Sequence, residues 1–460
     1  MISKKIDELK EQLIESTQEI IKIRSLEGEG KEGMPFGEEV NNALLCALKI
    51  SEDLGFKTKN IDGYAGYAEY GDGEEYVAAV GHLDVVPEGE GWTYNPYGAE
   101  IHDGKIYGRG TTDDKGPIMA ALYGLKAIKE LNLPLSKRIR IIFGTNEETG
   151  SNDLPYYLKK EKPPVLGFTP DAEYPIIYAE KGILHFTLSK TFALKDGEII
   201  IKSIKAGERP NIVPSLCEAL VTGKSIEYFK VKLEEFNKEG HYNIDLESSD
   251  NGVKIKSYGV SAHGSTPQLG KNAIMHMIMF LNTLDIKGDL KELLNFLSET
   301  IGTEVNGESF GVGYEDEPSG KLTLNVGIID LCEDKADFRI DIRYPVTINN
   351  EELIKKLEAT AGSVKAEIKD LDLDEPLYFS KDHELIKKLQ IAYKEITGNE
   401  GEPIAIGGGT YAKSMPNTVA FGPIFPGKPD VIHKPDEHIE VEDLIANAKV
   451  YGRALYEMAK

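Results

Sequence analysis

Along residues 2 to 23, apolar side chains recur at Ile6, Leu9, Leu13, Ile20 and Ile23. That spacing places them near one face of an amphipathic helix. GKEGMPFGEEV reads as a loop, and a second helix is predicted around residues 38 to 54. Apolar runs then alternate with loops and a helix: YVAAVGH, the helix opening at GPIMAALYGLKAIKEL, RIRIIFG and PVLGFTP. This βα alternation predicts an α/β layer with a largely parallel central sheet.

From about residue 181 the pattern changes. GILHFTLSK, GEIIIKSI, GVKIKSYGV, KLTLNVGIIDL and ADFRIDIRYPV read as strands, KNAIMHMIMFLNTL as a buried helix and NNEELIKKLEATAG as a further helix. Around residue 376 the α/β style returns, with helices in KDHELIKKLQIAYKEITG and VEDLIANAKVYGRALYEMAK. The expected organisation is an α/β domain formed by residues 1–180 and 376–460, interrupted by an inserted α+β domain at 181–375.

A chain of 460 residues is long enough for two cores, in line with that division. Its net charge of −24 argues against nucleic acid and against an anionic membrane face as partner. Three widely spaced cysteines, Cys46, Cys217 and Cys332, suggest a reducing compartment and no disulfide framework. The charged, periodic start MISKKIDELKEQ reads as a helix and not as a signal peptide. No apolar run reaches the roughly 18 residues of a membrane span. The expected setting is cytoplasmic.

In open α/β sheets, ligands sit beyond the carboxyl ends of the strands. The chain places acids and histidines there repeatedly. GHLDVVP carries His82 and Asp84, GRGTTDDKGP carries Asp113 and Asp114, NEETG carries Glu147 and Glu148, GFTPDAEYP carries Asp171, and PDVIHKPDEHI carries His433 and His438. Each has an ordinary explanation by itself: a surface His–Asp pair, a capped helix, a solvated acidic loop, a turn aspartate beside proline. Together, five ligand-type positions (His82, Asp113, Glu148, Asp171 and His433) are hard to explain as separate caps. Two histidines and three carboxylates suit a pair of zinc ions with one carboxylate shared between them. Such ions would sit about 3.5–4 Å apart and clamp a hydrolytic water. Spacing alone does not separate Asp113 from its neighbour Asp114.

The set HLD, GRGTTDDKG, NEETG, PD and IHKPDE, in this order, resembles the co-catalytic zinc peptidase and deacylase superfamily of aminoacylases, desuccinylases and carnosinases. The likeness is greatest to the peptidase V type of dipeptidase. It implies a zinc-exopeptidase-like catalytic domain with a lid insertion. It also implies that His82 and Asp171 hold one zinc, Glu148 and His433 the other, and that Asp113 bridges them. Motif position favours Asp113 over Asp114, and the Asp436–Glu437 that follows favours His433 over His438. Asp84 would orient His82 by accepting its other ring N–H. Glu147 would be the general base.

The resemblance further assigns His263, in GVSAHGSTPQLGKNA, to the oxyanion, and Asn211, in GERPNIVP, to substrate or oxyanion. Arg343, in DIRYP, would grip the substrate carboxylate. Gly408 and Gly409, in IGGGTYAKSMPN, would bind the same carboxylate through backbone N–H groups. His276, in the MHMIMF stripe, reads as core of the insertion.

The function implied is hydrolysis of unblocked dipeptides, with cobalt or manganese as possible substitutes for zinc. The enlarged lid suggests a monomer, with a dimer as the alternative. Two rival functions stand beside this one. One is an N-acyl amino acid deacylase using the same metal chemistry. The other is a catalytically silent zinc- or peptide-binding protein of the same fold.

Overall fold

The computed structural model describes residues 1–192, 197–238, 240–332 and 334–460. The chain forms two compact units: Met1–Tyr178 with Tyr378–Ile404 and Thr410–Lys460, and Ala179–Leu377 with Ala405–Gly409.

In the first unit the amphipathic start is a helix, Ile2–Ile21, that buries Ile6, Leu9, Leu13 and Ile20. The helix Lys115–Glu130 is buried almost all round, which is why its sequence is apolar without a polar stripe. It packs closely on the C-terminal helix Val441–Ala459. The approach is closest at Gly124, where an added Cβ would lie 2.7 Å from the backbone nitrogen of Gly452.

Four strands of the central sheet are parallel: Arg138–Gly144, Tyr76–His82, Leu166–Thr169 and Thr418–Ala420, in that spatial order. Both edges are antiparallel. Lys57–Ile61 and Ala65–Tyr70 form a hairpin beside Arg138–Gly144, and Ile177 pairs antiparallel with Ala420 on the other side. The hairpin escapes the hydrophobic pattern because KTKNI buries only Ile61 and AGYAEY shows no alternation.

Parallel register sets the functional end of the sheet. His82, the last residue of its strand, pairs with Gly144, the last residue of the next. Ala79 pairs with Phe168. The segments that follow these strands, containing Asp84, Glu147–Glu148 and Asp171, therefore leave the sheet on the same side. A small antiparallel sheet brings in the rest. Lys105–Tyr107 pairs with His438–Glu440 and sets the residues before His438 beside those after Tyr107. The Gly108 amide donates to the Glu437 carbonyl at 2.9 Å.

The second unit is built on an eight-stranded antiparallel sheet. Helices Ile226–Phe236, Ala273–Asn282, Asp289–Thr300 and Asn350–Gly362 share one apolar core with it. His276 lies within this unit, its ring edge-on to Tyr242 at 4.9 Å. Among the described residues, no helix is long and apolar enough to cross a membrane.

Candidate active site

Strand ends and the small sheet bring His82, Asp113, Glu148, Asp171 and His433 together. Their ligand atoms form two triads, His82–Asp113–Asp171 and Asp113–Glu148–His433, with the atoms of each within 4.8 Å of one another. Asp113 belongs to both. Its Oδ1 lies 2.9 Å from His82 Nε2, and its Oδ2 lies 2.9 Å from His433 Nε2. The Asp171 carboxylate is 3.9 Å from His82 Nε2, and Glu148 Oε1 is 3.2 Å from His433 Nε2. One carboxylate thus points an oxygen at each of two imidazoles, and each imidazole has a second acid beside it.

The neighbouring candidates turn elsewhere. Asp114 Oδ2 accepts the His82 backbone N–H at 3.2 Å, and neither aspartate side chain caps the helix that follows. Helix capping therefore does not account for the DD pair. Asp114 Oδ2 sits where a Cβ on Gly81 would approach to 2.2 Å, so the strand needs glycine there. The His438 ring is held by the Asp436 carbonyl at 2.8 Å and Lys105 Nζ at 3.2 Å, both outside the acid cluster.

Asp84 holds His82 by a different atom from the one expected. The ring Nδ1 lies 3.0 Å from the backbone carbonyl of Asp84 and 3.4 Å from its carboxylate. A carbonyl only accepts, so Nδ1 carries a proton and Nε2 is the nitrogen turned toward the acids. The Asp84 carboxylate is left to receive two amides, Glu147 N on Oδ1 at 3.1 Å and Glu148 N on Oδ2 at 3.0 Å.

Electrostatics show what the cluster lacks. Burial and the charge of Asp113 push Asp171 up to about 7. Burial, then the charge of Asp171, pushes Glu147 well above the usual carboxylate range. Burial and Asp113 raise Glu148 as well. Against burial, which favours the neutral ring, Asp113 and Glu148 push His433 up to about 10. Against its own burial, Asp113 is held well below its ordinary value by the two histidines. Acids that crowd upward and imidazoles that hold their protons mark a site short of positive charge. Imidazole nitrogens and carboxylate oxygens, with the His82 tautomer already set, are a donor set that fits divalent cations of the zinc type.

Two supports carry no signal in the hydrophobic pattern. Buried Glu437 accepts Arg109 Nη1 at 2.6 Å and the amides of Gly110, Thr112 and Asp113 at 3.0–3.3 Å. It thereby shapes the turn that aims Asp113. The adjacency of Asp436–Glu437 to His433 is the one sequence cue to it. Buried Asp153 accepts the amides of Thr145 and Asn146 at 2.6 and 3.3 Å, ahead of the two glutamates.

The other predicted residues gather in the second unit. His263 Nδ1 lies 2.7 Å from Ser265 Oγ and accepts the Ser265 amide at 3.2 Å. An amide only donates, so the ring proton sits on Nε2, the nitrogen free to donate outward. Burial and the Arg343 charge lower the ring's pKa, which keeps it neutral. The Asn211 carbonyl accepts the Gly264 amide at 2.7 Å.

Arg343 is already engaged. Its Nε and Nη2 pair with Asp341 at 2.8 and 3.1 Å, and Nη1 donates to the Gly407 carbonyl at 3.2 Å. The predicted carboxylate grip therefore starts from a buried ion pair rather than from a free guanidinium. Gly408 is half-buried and Gly409 exposed beside the tethered Gly407.

The model of peptidase family M20/M25/M40 matches residues 78–457. YtjP of Bacillus subtilis (strain 168), whose name assigns it provisionally to the dipeptidases, is 41% identical over 98% of this chain and 98% of its own. The Beta-Ala-Xaa dipeptidase of Lactobacillus delbrueckii subsp. lactis is 34% identical over 98% of this chain and 97% of its own. The fold is shared with an M20 family metallo-carboxypeptidase from Sulfolobus solfataricus, with a TM-score of 0.57 at 17% identity, covering 97% of this chain and 99% of that one. With the family model spanning the acid and histidine cluster from end to end, the chain belongs to peptidase family M20/M25/M40 and is a hydrolase of the metallopeptidase class.

Proposed function

We propose that this protein is a dipeptidase that cleaves unblocked dipeptides with a free C-terminal carboxylate, using two zinc ions. Cobalt or manganese would substitute in the same donor set. The observation that carries the reading is the Asp113 carboxylate, with one oxygen 2.9 Å from His82 and the other 2.9 Å from His433. The relatives named above, matched over nearly their whole length, support dipeptides as the substrate class.

In this reading His82 and Asp171 would hold one ion and Glu148 and His433 the other, with Asp113 shared between them. When bound, the ions polarise the scissile carbonyl and acidify water. Glu147 takes the proton of the attacking water and delivers it to the leaving amine. Asp84 fixes Glu147 and Glu148 through their amides. His263, with its proton on Nε2, and Asn211 serve the oxyanion. Gly408 and Gly409 read the substrate carboxylate. Arg343, whose Nη1 also donates to the Gly407 carbonyl, grips the same carboxylate. The length of the inserted segment, 181–375, supports a monomer. Three free cysteines support a cytoplasmic setting.

The test is turnover of Xaa-His and β-alanyl dipeptides beside N-acetyl and N-succinyl amino acids. Fast turnover only of the N-acyl compounds overturns the dipeptidase reading in favour of a deacylase, and no turnover of either favours a silent binding protein. Glu147→Ala should retain both metals and lose about 10²–10⁴-fold in kcat. Surviving activity would remove Glu147 from the mechanism.

A further inference from the structure

Four consecutive amides, from Thr145 to Glu148, are held by two buried aspartates. Asp84 takes those of Glu147 and Glu148, and Asp153 takes those of Thr145 and Asn146. Asp153 is met by a third donor, the hydroxyl of Tyr411, which bonds the same Oδ2 that receives both amides. Tyr411 is wholly buried and packs its ring edge-on against His82 at 5.9 Å. It is fixed at the start of a short 3-10 turn, Tyr411–Ser414, whose preceding Thr410 hydroxyl accepts the Ala412 amide at 3.1 Å. Gly144 makes room for the pair, since a Cβ there would lie 2.1 Å from the Tyr411 hydroxyl and 2.7 Å from Asp153 Oδ2.

We propose that Tyr411 and Asp153 are positioning residues for the glutamate turn, a pair that sets where the Glu147 and Glu148 carboxylates stand. A carboxylate oxygen that accepts three donors is fixed in place, and the turn it holds is then fixed with it. Loss of the Tyr411 hydroxyl leaves Asp153 held only by the Thr145, Asn146 and Leu154 amides, which belong to the turn and the helix that follows it, and so loosens the anchor of the turn to the rest of the core. Displacement of a general base by about 1 Å costs on the order of a hundredfold in rate. Tyr411 also touches His82 through its ring, so the phenylalanine variant separates the hydroxyl's role from the ring's. The proposal rests on Glu147 being the general base.

The experiment compares Tyr411→Phe, Asp153→Asn, the double variant, Glu147→Gln and Tyr157→Phe in the metal-loaded enzyme acting on a β-alanyl dipeptide. Tyr157 is a buried tyrosine of the same core whose hydroxyl bonds Arg140 and Tyr76, away from the turn. Tyr411→Phe should lose between about ten- and a hundredfold in kcat, with KM within about twofold and metal content unchanged. The double variant should be no slower than Asp153→Asn alone, because the two act through one hydrogen bond. Tyr157→Phe should keep its kcat. A Tyr411→Phe enzyme with normal kcat overturns the proposal. So does a loss that follows loss of metal, or one matched by Tyr157→Phe. Glu147→Gln tells the two failures apart. If it is inactive while Tyr411→Phe is normal, only the positioning role falls. If it remains active, the general-base reading falls and takes the positioning role with it.

Discussion

Asp84 uses three acceptor atoms on three different donors: its carbonyl on the His82 ring, Oδ1 on the Glu147 amide and Oδ2 on the Glu148 amide. Asp84→Asn divides these tasks. The carbonyl remains, so His82 keeps its tautomer. The new amide group presents N–H to one of the two glutamate amides, and a buried donor left without an acceptor costs about 1–3 kcal/mol. The expected outcome is a fall in kcat of about ten- to a hundredfold with His82 still able to hold metal, read from kcat and from metal content per chain. If metal content collapses together with kcat, the carboxylate has been serving His82 after all. NEETG and HLD showed at residue level that acids and a histidine stand at strand ends. Which oxygen meets which proton depends on dihedral angles in the turns, and those have no sequence period.

The loop around His263 shows how an element is held by what it lacks. A Cβ on Gly264 would stand 2.3 Å from Asp341 Oδ2 and 3.1 Å from the Asn211 backbone. Asp341 cannot yield easily, because Arg343 grips both of its oxygens and His185 lies 3.4 Å from one of them. Gly264→Ala should therefore push the His263 segment outward. The expected result is a loss of about 1–3 kcal/mol from the inserted unit, typical of overpacking, and a raised KM with metals retained. Thermal melting and Michaelis parameters check it, and an unchanged KM would show that His263 does not serve substrate. Elements with strong periodicity were legible beforehand. The helix Ile2–Ile21, the strand Arg138–Gly144 and the helix Val441–Ala459 lie where the apolar pattern places them. The hairpin Lys57–Tyr70 was not, because an edge hairpin buries too few side chains to stamp a period on its sequence.

For the molecule as a whole, the acid cluster belongs entirely to the first compact unit. Removing metal by chelation should lower the melting temperature of that unit and leave the transition of the inserted unit in place. At a ligand concentration about a hundred times Kd, bound metal stabilises by about 2.7 kcal/mol. For a unit of this size that is worth several degrees, at roughly 2–4 °C per kcal/mol. The effect depends on pH with a definite sign. The metal-free site holds protons on His82, raised well above its ordinary value by the acids around it against its burial, on His433, up to about 10, and on Asp171, up to about 7, and it raises Glu148 as well. Metal must displace the histidine protons throughout this range and the Asp171 proton as well below pH 7, so affinity rises with pH and rises most steeply below 7. Calorimetry with and without chelator from pH 5.5 to 8.5 reads this directly. A chelation shift that shrinks as pH rises would contradict the ligand set.

What the sequence determined by itself was the kind of donor and the end of the sheet on which it stands. Apolar strands must be buried, and the residues after their last apolar position must emerge together when the strands run parallel. What only the tertiary structure decided was the choice between neighbours. Asp113 and Asp114 are equivalent by spacing, yet one reaches two histidines and the other turns back to the His82 amide. His433 joins residues near the other end of the chain because His438–Glu440 pairs with Lys105–Tyr107, a contact between segments with no local trace of each other. Asp153, Tyr411 and Glu437 support the site through hydrogen bonds across long stretches of chain. Hydrophobic periodicity records which side chains are buried, and it carries no record of which buried polar atom finds which partner.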